Sequence, residues 1–492
     1  MKKRILALLL VAMLVATSCS AGTENETTTD TTSTGTTDTA TTETNDGWQY
    51  PDVDYGGGEY RILNFNELWN MYIHMDATEQ TGEGLNDVVY NRNRKIEDEL
   101  NCKIYEKTIE HTSETLIDIV DHAKASIMAG SDDYDVMNLP INVDLSLITN
   151  GYLLDLNAID GFHLDKTWWD QDVIQSMTLN NKLFIASGAS TLMAFDSMWC
   201  MFFNEDMMTD YGLDKPYDLV REGKWTLDKL NEYCTAVVNL NDDSSFTWNK
   251  DGSCIWGIST FYTGPDKFVH GAGVRGATVM DDGSIQNTME SERFYGVVDK
   301  LAKLLDNKSG MTINASTDDF NADVGGYVYV FATGRSLFLT AEIKAALLLR
   351  DIEDTFGIVP FPKYDEEQEK YQTTMVSEMM YLTIPTTNTK LEMTATISEV
   401  MAHDSYEYVI PVYYNNVVEH KGLRNEDSVE MLEIIRATRG MDMAAGFGWN
   451  TSLREQLRYE LFSGNNQVAS LLTSQKPVIE ANIEKFVEYL NQ

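Results

Sequence analysis

The sequence predicts an α/β fold, because short apolar strands alternate with helices from Gly58 onward. Two further observations support a globular domain of this class. Hydrophobic residues make up 43% and aromatic residues 10% of the 492 residues, which suits a well-filled core. No internal repeat of fixed period is present, which weighs against solenoids and propellers. We therefore expect an α/β sheet that binds its ligand at the carboxyl ends of its strands.

The first elements form a βαβ unit. Apolar periodicity predicts a strand over 59–65, a helix over 86–100, a strand over 102–105, a helix over 115–128 and a buried strand over 134–139. The apolar run 195–203 predicts one long strand, and Thr226 is expected to cap a helix that begins at Leu227.

The remaining elements make the C-terminal third mostly helical. The pattern predicts strands over 336–339, 356–359 and 379–384, and helices over 342–350, 391–401, 429–438 and 478–490. Only 9 prolines occur, and low-complexity sequence is confined to the N-terminal region. The length of 492 residues suggests about two or three domain-sized units, and we expect them to be interwoven, without a linker between them.

The charge balance excludes several classes of partner. Lys and Arg number 37 against 77 Asp and Glu, for a formal net charge of −40. Nucleic acids and anionic membrane surfaces require clustered basic residues, so neither is expected as a partner. The 5 cysteines contain no CxxC pair, and after export we favour four free buried thiols at Cys102, Cys200, Cys234 and Cys254.

The N-terminal residues are typical of an export signal. Three basic residues at positions 2–4 precede an apolar run of about a dozen residues, too short to cross a bilayer of about 30 Å. The ending Ala-Thr-Ser-Cys19 resembles the lipobox of bacterial lipoproteins, which predicts a signal peptide over 1–18 and lipidation of Cys19. The alternative is an ordinary secretory signal in which Cys19 is incidental. Residues 19–57 are then expected to form an acidic, Thr-rich, disordered tether.

Familiar catalytic and cofactor motifs are missing or incomplete. Residues 271–276 match GxGxxG, but a turn at 281–283 follows where a dinucleotide site needs a helix, so we favour a cleft-rim loop. The sequence contains no GxxxxGK[ST], HExxH or GxSxG, and none of the 7 His is paired at ligand spacing. The loop 239–250 is faintly similar to a calcium loop, but Ser244 and Lys250 stand where Gly and Glu are needed. Neither a metal nor a cofactor is expected.

Tryptophans are the more informative aromatic residues. Several lie beside predicted strand ends, where sugar-binding clefts place flat apolar faces bordered by polar groups. They are Trp69, Trp168, Trp169, Trp199, Trp225, Trp256 and Trp449. Any single one is more often a core residue, and Trp225, in the predicted helix start, is assigned to packing.

Nine short stretches, taken in order, resemble the extracellular solute-binding lipoproteins of bacterial ABC importers, in the carbohydrate-binding family 1 that includes maltose-binding protein. The stretches are MAG at 128–130, YDV at 134–136, GYLLDL at 151–156, WWD at 168–170, NKLF at 181–184, FN at 203–204, YGL at 211–213, GKWT at 223–226 and FGIVPFPKY at 356–364. With the flanking pattern, the resemblance covers the chain from about Gly58 to near its C-terminus.

This resemblance implies a type II periplasmic-binding-protein fold: two α/β lobes, three hinge crossings and a ligand held in the cleft by closure. Lobe 1 would comprise 58–188 and 362–402, and lobe 2 would comprise 189–361 and 403–492. The positions that the resemblance places at the cleft are Asn66, Glu67, Trp69, Asn142, Ser190, Phe261, Tyr262, Thr340 and Glu342. Arg275, in the cleft-rim loop 271–276, is a further candidate for ligand binding. The maltose receptor has a stacking tryptophan near the position of Glu342, and Trp199 and Trp449 are the candidates to replace it.

The implied function is capture of an extracellular solute, an oligosaccharide by preference, and its delivery to an ABC permease. The protein is then expected to be a monomer, lipid-anchored on the extracellular face of the cell membrane, and to break no bond. A peptide or another polar solute is the alternative ligand. A surface glycoside hydrolase would share the export signal and the aromatics, and a sensor or glycan-capture lipoprotein would share the fold.

Overall fold

The computed structural model describes residues 48–69, 71–112, 116–249, 251–280, 283–314, 326–376, 379–418, 423 and 425–491. From Tyr50 onward the chain forms one unit. The predicted signal peptide, Cys19 and most of the tether lie outside the described residues, so these assignments stay predictions.

The strands belong to two large sheets and two small ones. The strands are β1 (Gly58–Phe65), β2 (Cys102–Ile109), β3 (Val136–Leu139), β4 (Trp199–Asn204), β5 (Trp256–Thr260), β6 (Ala277–Val279), β7 (Ile285–Asn287), β8 (Thr312–Asn314), β9 (Ser336–Glu342), β10 (Phe356–Val359), β11 (Thr373–Thr374), β12 (Tyr381–Thr383) and β13 (Arg439–Gly440).

Helices cover the sheets and form most of the C-terminal region. The α-helices are α1 (Gly84–Leu100), α2 (Ile117–Met128), α3 (Ser146–Thr149), α4 (Gln171–Met177), α5 (Met193–Asp196), α6 (Glu205–Asp210), α7 (Tyr217–Arg221), α8 (Leu227–Val237), α9 (Gly264–Gly271), α10 (Glu292–Leu304), α11 (Gly326–Ala332), α12 (Ala345–Leu348), α13 (Leu391–Asp404), α14 (Ile410–Val418), α15 (Glu426–Ala437), α16 (Met443–Gly446), α17 (Thr451–Phe462) and α18 (Val468–Leu490). Short 3₁₀ turns occupy Leu156–Ala158 and Asn307–Ser309, and a π-helical turn at Ser405–Val409 joins α13 to α14.

The first sheet has the strand order β12-β3-β1-β2. Strand β1 runs parallel to β2 and β3, and β12 is antiparallel to β3. The full register of β1 on β2, from Gly58 opposite Cys102 to Phe65 opposite Ile109, extends the predicted second strand by four residues. The βαβ unit expected at the start of the chain is confirmed.

The second sheet has the order β10-β4-β9-β5-β8. Strand β5 is parallel to β8 and β9, whereas β4 is antiparallel to β9 and β10. The chain passes from the first sheet to the second between β3 and β4, and returns between β10 and β12. After β12 it leaves the first sheet again, and α15 packs on β10. Two α/β lobes with three crossings are therefore confirmed, while the lobe boundaries at 188, 361 and 402 stay predictions.

Local sequence signals explain several of these elements. The side chain of Thr226 accepts a hydrogen bond from the Lys229 amide, so it caps α8 as predicted. The fully buried Trp225 donates from its indole nitrogen to the Pro360 carbonyl at 3.0 Å, which confirms its packing role.

The double tryptophan at 168–169 also has a structural role. Both indole nitrogens donate to the buried carboxylate of Glu399, at 2.6 Å from Trp168 and 3.0 Å from Trp169. A single side chain on α13 therefore ties the 168–170 stretch to the helix that packs behind the first sheet.

Several predicted elements differ from the structure in extent: α18, for example, begins at Val468, ten residues before the predicted start, and two of the differences bear on the candidate site. The run 195–203 does not form one strand, because Asp196 ends the helical turn α5 and β4 begins only at Trp199. That turn places the Asp196 carboxylate, which is fully buried, against the hydroxyl of Tyr413. The helix expected over 342–350 shrinks to α12, because the ladder between β4 and β9 continues to the pair Trp199 and Glu342.

The four cysteines of the folded part are free and buried, as favoured from the sequence. In the loop 239–250, where Lys250 lies outside the described residues, Asp243 accepts hydrogen bonds from the amides of Ser253 and Cys254 at 2.7 and 2.8 Å. This carboxylate therefore stabilises a turn. None of the described helices combines the length and apolar character that a membrane span requires.

Candidate ligand-binding site

The carboxyl ends of strands from both sheets meet at one place. The lysine that follows β9, Lys344, donates from its Nζ to the carbonyl oxygen of Trp69, which follows β1, at 2.7 Å. Ligands of open α/β sheets bind at the carboxyl ends of the strands, so this junction is the candidate site.

Trp69 offers the first aromatic surface at the junction. Its side chain is 38% exposed and its φ is 49°, an uncommon left-handed conformation for a large residue. The indole contacts the ring of His111 edge to face, with centroids 6.3 Å apart. Backbone conformations of this kind concentrate at functional sites, and here one presents an aromatic ring to solvent.

A buried carboxylate interacts with Lys344. Asp196 is fully buried and accepts from the Tyr413 hydroxyl at 2.7 Å and from the Tyr72 amide at 3.2 Å. Burial raises the pKa of Asp196 to about 6, although Lys344 and the two hydrogen bonds act in the opposite direction.

A second group of residues lines the end of the second sheet. Glu342, at the end of β9, accepts from the hydroxyl of Tyr327 at 3.3 Å. The rings of Phe261 and Tyr327 lie 5.3 Å apart, and those of Phe261 and Tyr262 lie 4.6 Å apart. Burial, followed by the charge of Glu342, raises the pKa of Tyr327 well above its usual value, so its hydroxyl stays protonated as a donor. Tyr262 is 46% exposed and forms the outer edge of this group.

Trp199 lies against the same group but faces inward. It pairs with Glu342 across the ladder, and Lys267 lies over its ring with Nζ 5.1 Å from the centroid. Its side chain is 1% exposed, and within the described structure its indole nitrogen has no hydrogen-bond partner. Trp199 therefore borders the site as a buried indole in this conformation, rather than as a solvent-facing platform.

An ion-pair cluster lies next to Tyr262. Asp266 on α9 accepts from Arg454 at 2.8 Å and is also bound by Arg458, whose guanidinium lies 5.3 Å from the ring centroid of Tyr262. Burial alone would raise the pKa of Asp266, but the two arginines outweigh it and hold this pKa well below its usual range. The cluster fixes α17 on α9 beneath the aromatic residues.

Asn142 contacts Gly448, the residue that precedes Trp449. The backbone carbonyl of Asn142 packs so closely on Gly448 that a Cβ at Gly448 would lie 2.5 Å from it. Trp449 is 3% exposed, with its ring 5.1 Å from Phe447 and 5.6 Å from Phe486. The Asn142 Oδ1 atom and the Trp449 indole nitrogen are both buried, and each lacks a hydrogen-bond partner in the described part of the chain.

The other predicted site residues have mixed environments. Asn66 and Glu67 are exposed after β1, and the side-chain oxygen of Asn66 accepts from the amides of Glu67 and His111. Ser190 is buried on the first crossing, and the hydroxyl of Thr340 lies 2.5 Å from that of Thr260.

Arg275 lies apart, in the 271–276 loop. Its guanidinium donates to the His270 ring at 2.7 Å. Burial, followed by the charges of Arg275 and Lys267, lowers the pKa of His270 well below its usual value, so the imidazole accepts as a neutral ring. Asp172 and Asp442 act electrostatically on Arg275. This group lies around a cavity of about 40 Å³ whose lining includes His270, Asp442 and Asn450.

Sequence reasoning missed several residues at the junction. Lys344, Asp196, Tyr413, Tyr327 and His111 are all brought there by pairing between distant segments. The apolar pattern assigns Asp196 to the start of a strand and Lys344 to the first turn of a helix, and neither assignment indicates a functional position. A charged residue inside an apolar run, as Asp196 is in 195–203, is the one signal that could have drawn attention to it.

The arrangement is suited to binding a polar, hydroxyl-rich molecule. It combines exposed aromatic faces at Trp69 and Tyr262 with the carboxylate of Glu342, and such sites hold sugars through stacking and hydrogen bonds. Over the described residues, no group of three or more His, Cys, Asp or Glu side chains is arranged to hold a metal ion.

Comparison with solved structures identifies the fold. A cyclo/maltodextrin-binding protein complexed with maltotetraose overlays with a TM-score of 0.57 and 11% identity, over 87% of this chain and 97% of that chain. An ABC substrate-binding protein from Listeria monocytogenes in complex with cycloalternan gives a TM-score of 0.54 and 12% identity, over 86% and 99%. The maltose/maltodextrin-binding domain from Bdellovibrio bacteriovorus, bound to maltotriose, gives 0.51 and 13%, over 87% and 100%.

No family model matches the chain, and no curated protein matches it either. At identities this low the structural likeness establishes the fold and leaves the ligand to be argued from the site. The predicted fold class is confirmed: the chain has the type II periplasmic-binding-protein fold of the ABC-transporter solute-binding proteins.

Proposed function

We propose that this protein is the substrate-binding component of an ABC importer and captures an extracellular oligosaccharide in the cleft between its two sheets. Closure of the lobes about the three crossings holds the solute, and a membrane permease then receives it. The predicted signal peptide, Cys19 and the tether support a location on the outer face of the cell membrane, with the folded unit tethered through a lipid.

One observation carries this proposal: aromatic faces and buried carboxylates converge at the carboxyl ends of strands from both sheets. Trp69 comes from the first sheet, whereas Tyr262, Tyr327 and Glu342 come from the second. A solute bound there contacts both sheets at once, so binding favours the closed form over the open one.

The solved structures of the same fold add support for the ligand class. Those with TM-scores above 0.5 include proteins described with maltotetraose, cycloalternan and maltotriose, and one bound with α-D-tagatose. These ligands are saccharides of different size, and all of them present hydroxyl groups bordering apolar faces. That chemistry fits the combination of rings and carboxylates in this site.

The experiment is a ligand screen on residues 20–492, which lack the predicted signal peptide and Cys19. Thermal unfolding and tryptophan fluorescence are followed against a panel of oligosaccharides, polyols and peptides. A saturating oligosaccharide at about 100 times Kd adds about 2.7 kcal/mol of stability, which shifts the melting temperature by several degrees.

Matched variants locate the response. Trp69→Ala and Tyr262→Ala should each weaken the response to the active glycan, since ring stacking is lost. Tyr459→Ala removes an exposed aromatic residue of α17, 71% exposed, and should bind like the wild type. A response to peptides alone would show that the ligand is a peptide and not an oligosaccharide. Release of product from a glycan at about 1 per second or faster would indicate a glycoside hydrolase instead.

A further inference from the structure

The segment that follows β1, within residues 66–76, is bound at two points by residues that flank strands of the second sheet. At its start, the carbonyl of Trp69 accepts from Lys344 at 2.7 Å. Three residues further on, the amide of Tyr72 donates to Asp196 at 3.2 Å. Tyr72 also contacts the ring of Tyr413, which donates to the same carboxylate.

Lys344 and Asp196 belong to one rigid corner of the second sheet. Lys344 comes two residues after β9, and Asp196 three residues before β4. Strands β4 and β9 are paired, and the amide of Ile343 donates to the carbonyl of Met198 at 2.8 Å beyond the ladder. Any movement of the second sheet therefore carries both residues with it.

The far end of the same segment is fixed to the first sheet. The side-chain amide of Asn64 donates to the Ile73 carbonyl at 2.9 Å, and that of Asn93 on α1 donates to the Met75 carbonyl at 3.0 Å. The segment is therefore attached to the first sheet at its end and bound to the second sheet through Trp69 and Tyr72.

The left-handed backbone of Trp69 belongs to a turn that the hydrogen bond from the Met71 amide to the Leu68 carbonyl closes at 2.8 Å. A left-handed backbone costs a residue with a bulky side chain about 1–2 kcal/mol. The ring has an edge contact with His111, and the carbonyl that this backbone directs outward is the atom that Lys344 binds. The ammonium thus stabilises the carbonyl orientation that the unusual backbone produces.

We infer that Lys344 is a positioning residue, which fixes the Trp69 ring from the opposite sheet so that the aromatic platform is complete only when the two sheets are together. The inference rests on the proposed function in taking Trp69 as a solute contact. Lys344 binds the backbone of Trp69 and not the solute. Its effect on solute binding is therefore exerted through the contact between its ammonium and the Trp69 carbonyl.

The test is hydrogen exchange of the full chain without solute, read on the peptide that covers residues 66–76. Lys344→Met removes the ammonium and keeps the apolar stem, so exchange in this peptide should become about 2- to 10-fold faster, as the loss of one hydrogen bond predicts. Lys344→Arg keeps a donor and should restore slow exchange.

Lys224→Met is the matched control, because Lys224 forms an exposed ion pair with Glu222 at 2.7 Å and its loss changes the net charge equally. It should leave exchange in 66–76 unchanged. Equal exchange in Lys344→Met and the wild type would overturn the inference, whether or not any solute binds.

Titration with an oligosaccharide then separates the two proposals. If the wild type binds, Lys344→Met should raise Kd about 2- to 10-fold through faster dissociation. If the wild type binds no glycan, the proposed function fails, while the exchange comparison still decides the role of Lys344.

Discussion

The hydroxyl of Tyr413 donates to the fully buried carboxylate of Asp196 at 2.7 Å, and this pair lies where the two sheets meet. Helix α14 carries Tyr413 and the first crossing carries Asp196, so the hydrogen bond joins segments more than two hundred residues apart in sequence. Burial of an acid at such a junction makes the stability of the protein depend on pH.

The pH dependence has a defined sign. The pKa of Asp196 is about 6 in the folded state and about 3.9 in an unfolded chain, so between these values the folded state binds the extra proton. The stabilisation from this protonated acid is present below about pH 4 and is lost as the pH rises to about 6. Lys344, Glu342, Tyr413 and Tyr72 are ionisable groups that interact with it.

Asp196→Asn tests this dependence. The asparagine side chain does not titrate. The free energy of unfolding of the variant minus that of the wild type should therefore rise by up to about 3 kcal/mol between pH 4 and pH 7. Denaturant unfolding at several pH values measures the difference. The surface variant Asp351→Asn, at a side chain 84% exposed, should stay parallel to the wild type, and parallel curves for Asp196→Asn would contradict the expectation.

Asp266 should be among the least replaceable carboxylates. Asp266→Asn leaves Arg454 and Arg458, which are both largely buried, without their shared anion, and the expected loss of stability is about 3–5 kcal/mol. Glu290→Gln removes the exposed partner of Lys476 and should cost less than about 1 kcal/mol. Urea unfolding of the two variants compares them directly, and a similar small loss in both would refute the role of the cluster.

Glu399 is expected to lock the double tryptophan onto α13. Glu399→Gln has one oxygen in place of two, so one of the indole donors of Trp168 and Trp169 loses its partner, at a cost of about 1–3 kcal/mol. Glu392→Gln, on the same helix but exposed, should be nearly neutral. Thermal unfolding of both variants checks this, and the account is wrong if Glu399→Gln melts like Glu392→Gln.

Gly276 has no room for a side chain. A Cβ there would lie 2.4 Å from the side-chain Nδ2 of Asn450 and 2.7 Å from the Cβ of Ala444, so Gly276→Ala should destabilise by about 1–3 kcal/mol. Gly84→Ala, at the start of α1 where nothing lies within 4 Å, should be neutral or slightly stabilising. Stability loss of equal size at the two positions would contradict this packing.

The sequence predicted the features that depend on local pattern. The βαβ start, the Thr226 cap and the packing of Trp225 follow from periodicity and capping chemistry, and the structure confirms them. The strand 356–359 agrees residue by residue, because Pro360 ends it. The resemblance to solute-binding lipoproteins supplied the two-lobe architecture, which periodicity alone does not determine.

The residues that complete the candidate site could not be predicted, because pairing between distant segments decides their positions. The turn at Asp196 depends on Tyr413, and the extension of β9 to Glu342 depends on β4. The local apolar patterns favour a strand at Asp196 and a helix at Glu342, and the long-range contacts outweigh both preferences. Lys344 acquires its role only from the Trp69 carbonyl, which follows a strand of the other sheet.

The most direct test of the proposed function is calorimetric titration of residues 20–492 with the oligosaccharide that gives the largest thermal shift, compared between the wild type, Trp69→Ala and Tyr459→Ala. We predict one site, a loss of affinity of about 10-fold or more in Trp69→Ala from the missing ring contact, and wild-type affinity in Tyr459→Ala. Equal affinity in all three proteins, or no heat with any glycan, would contradict solute capture at the junction of the two sheets.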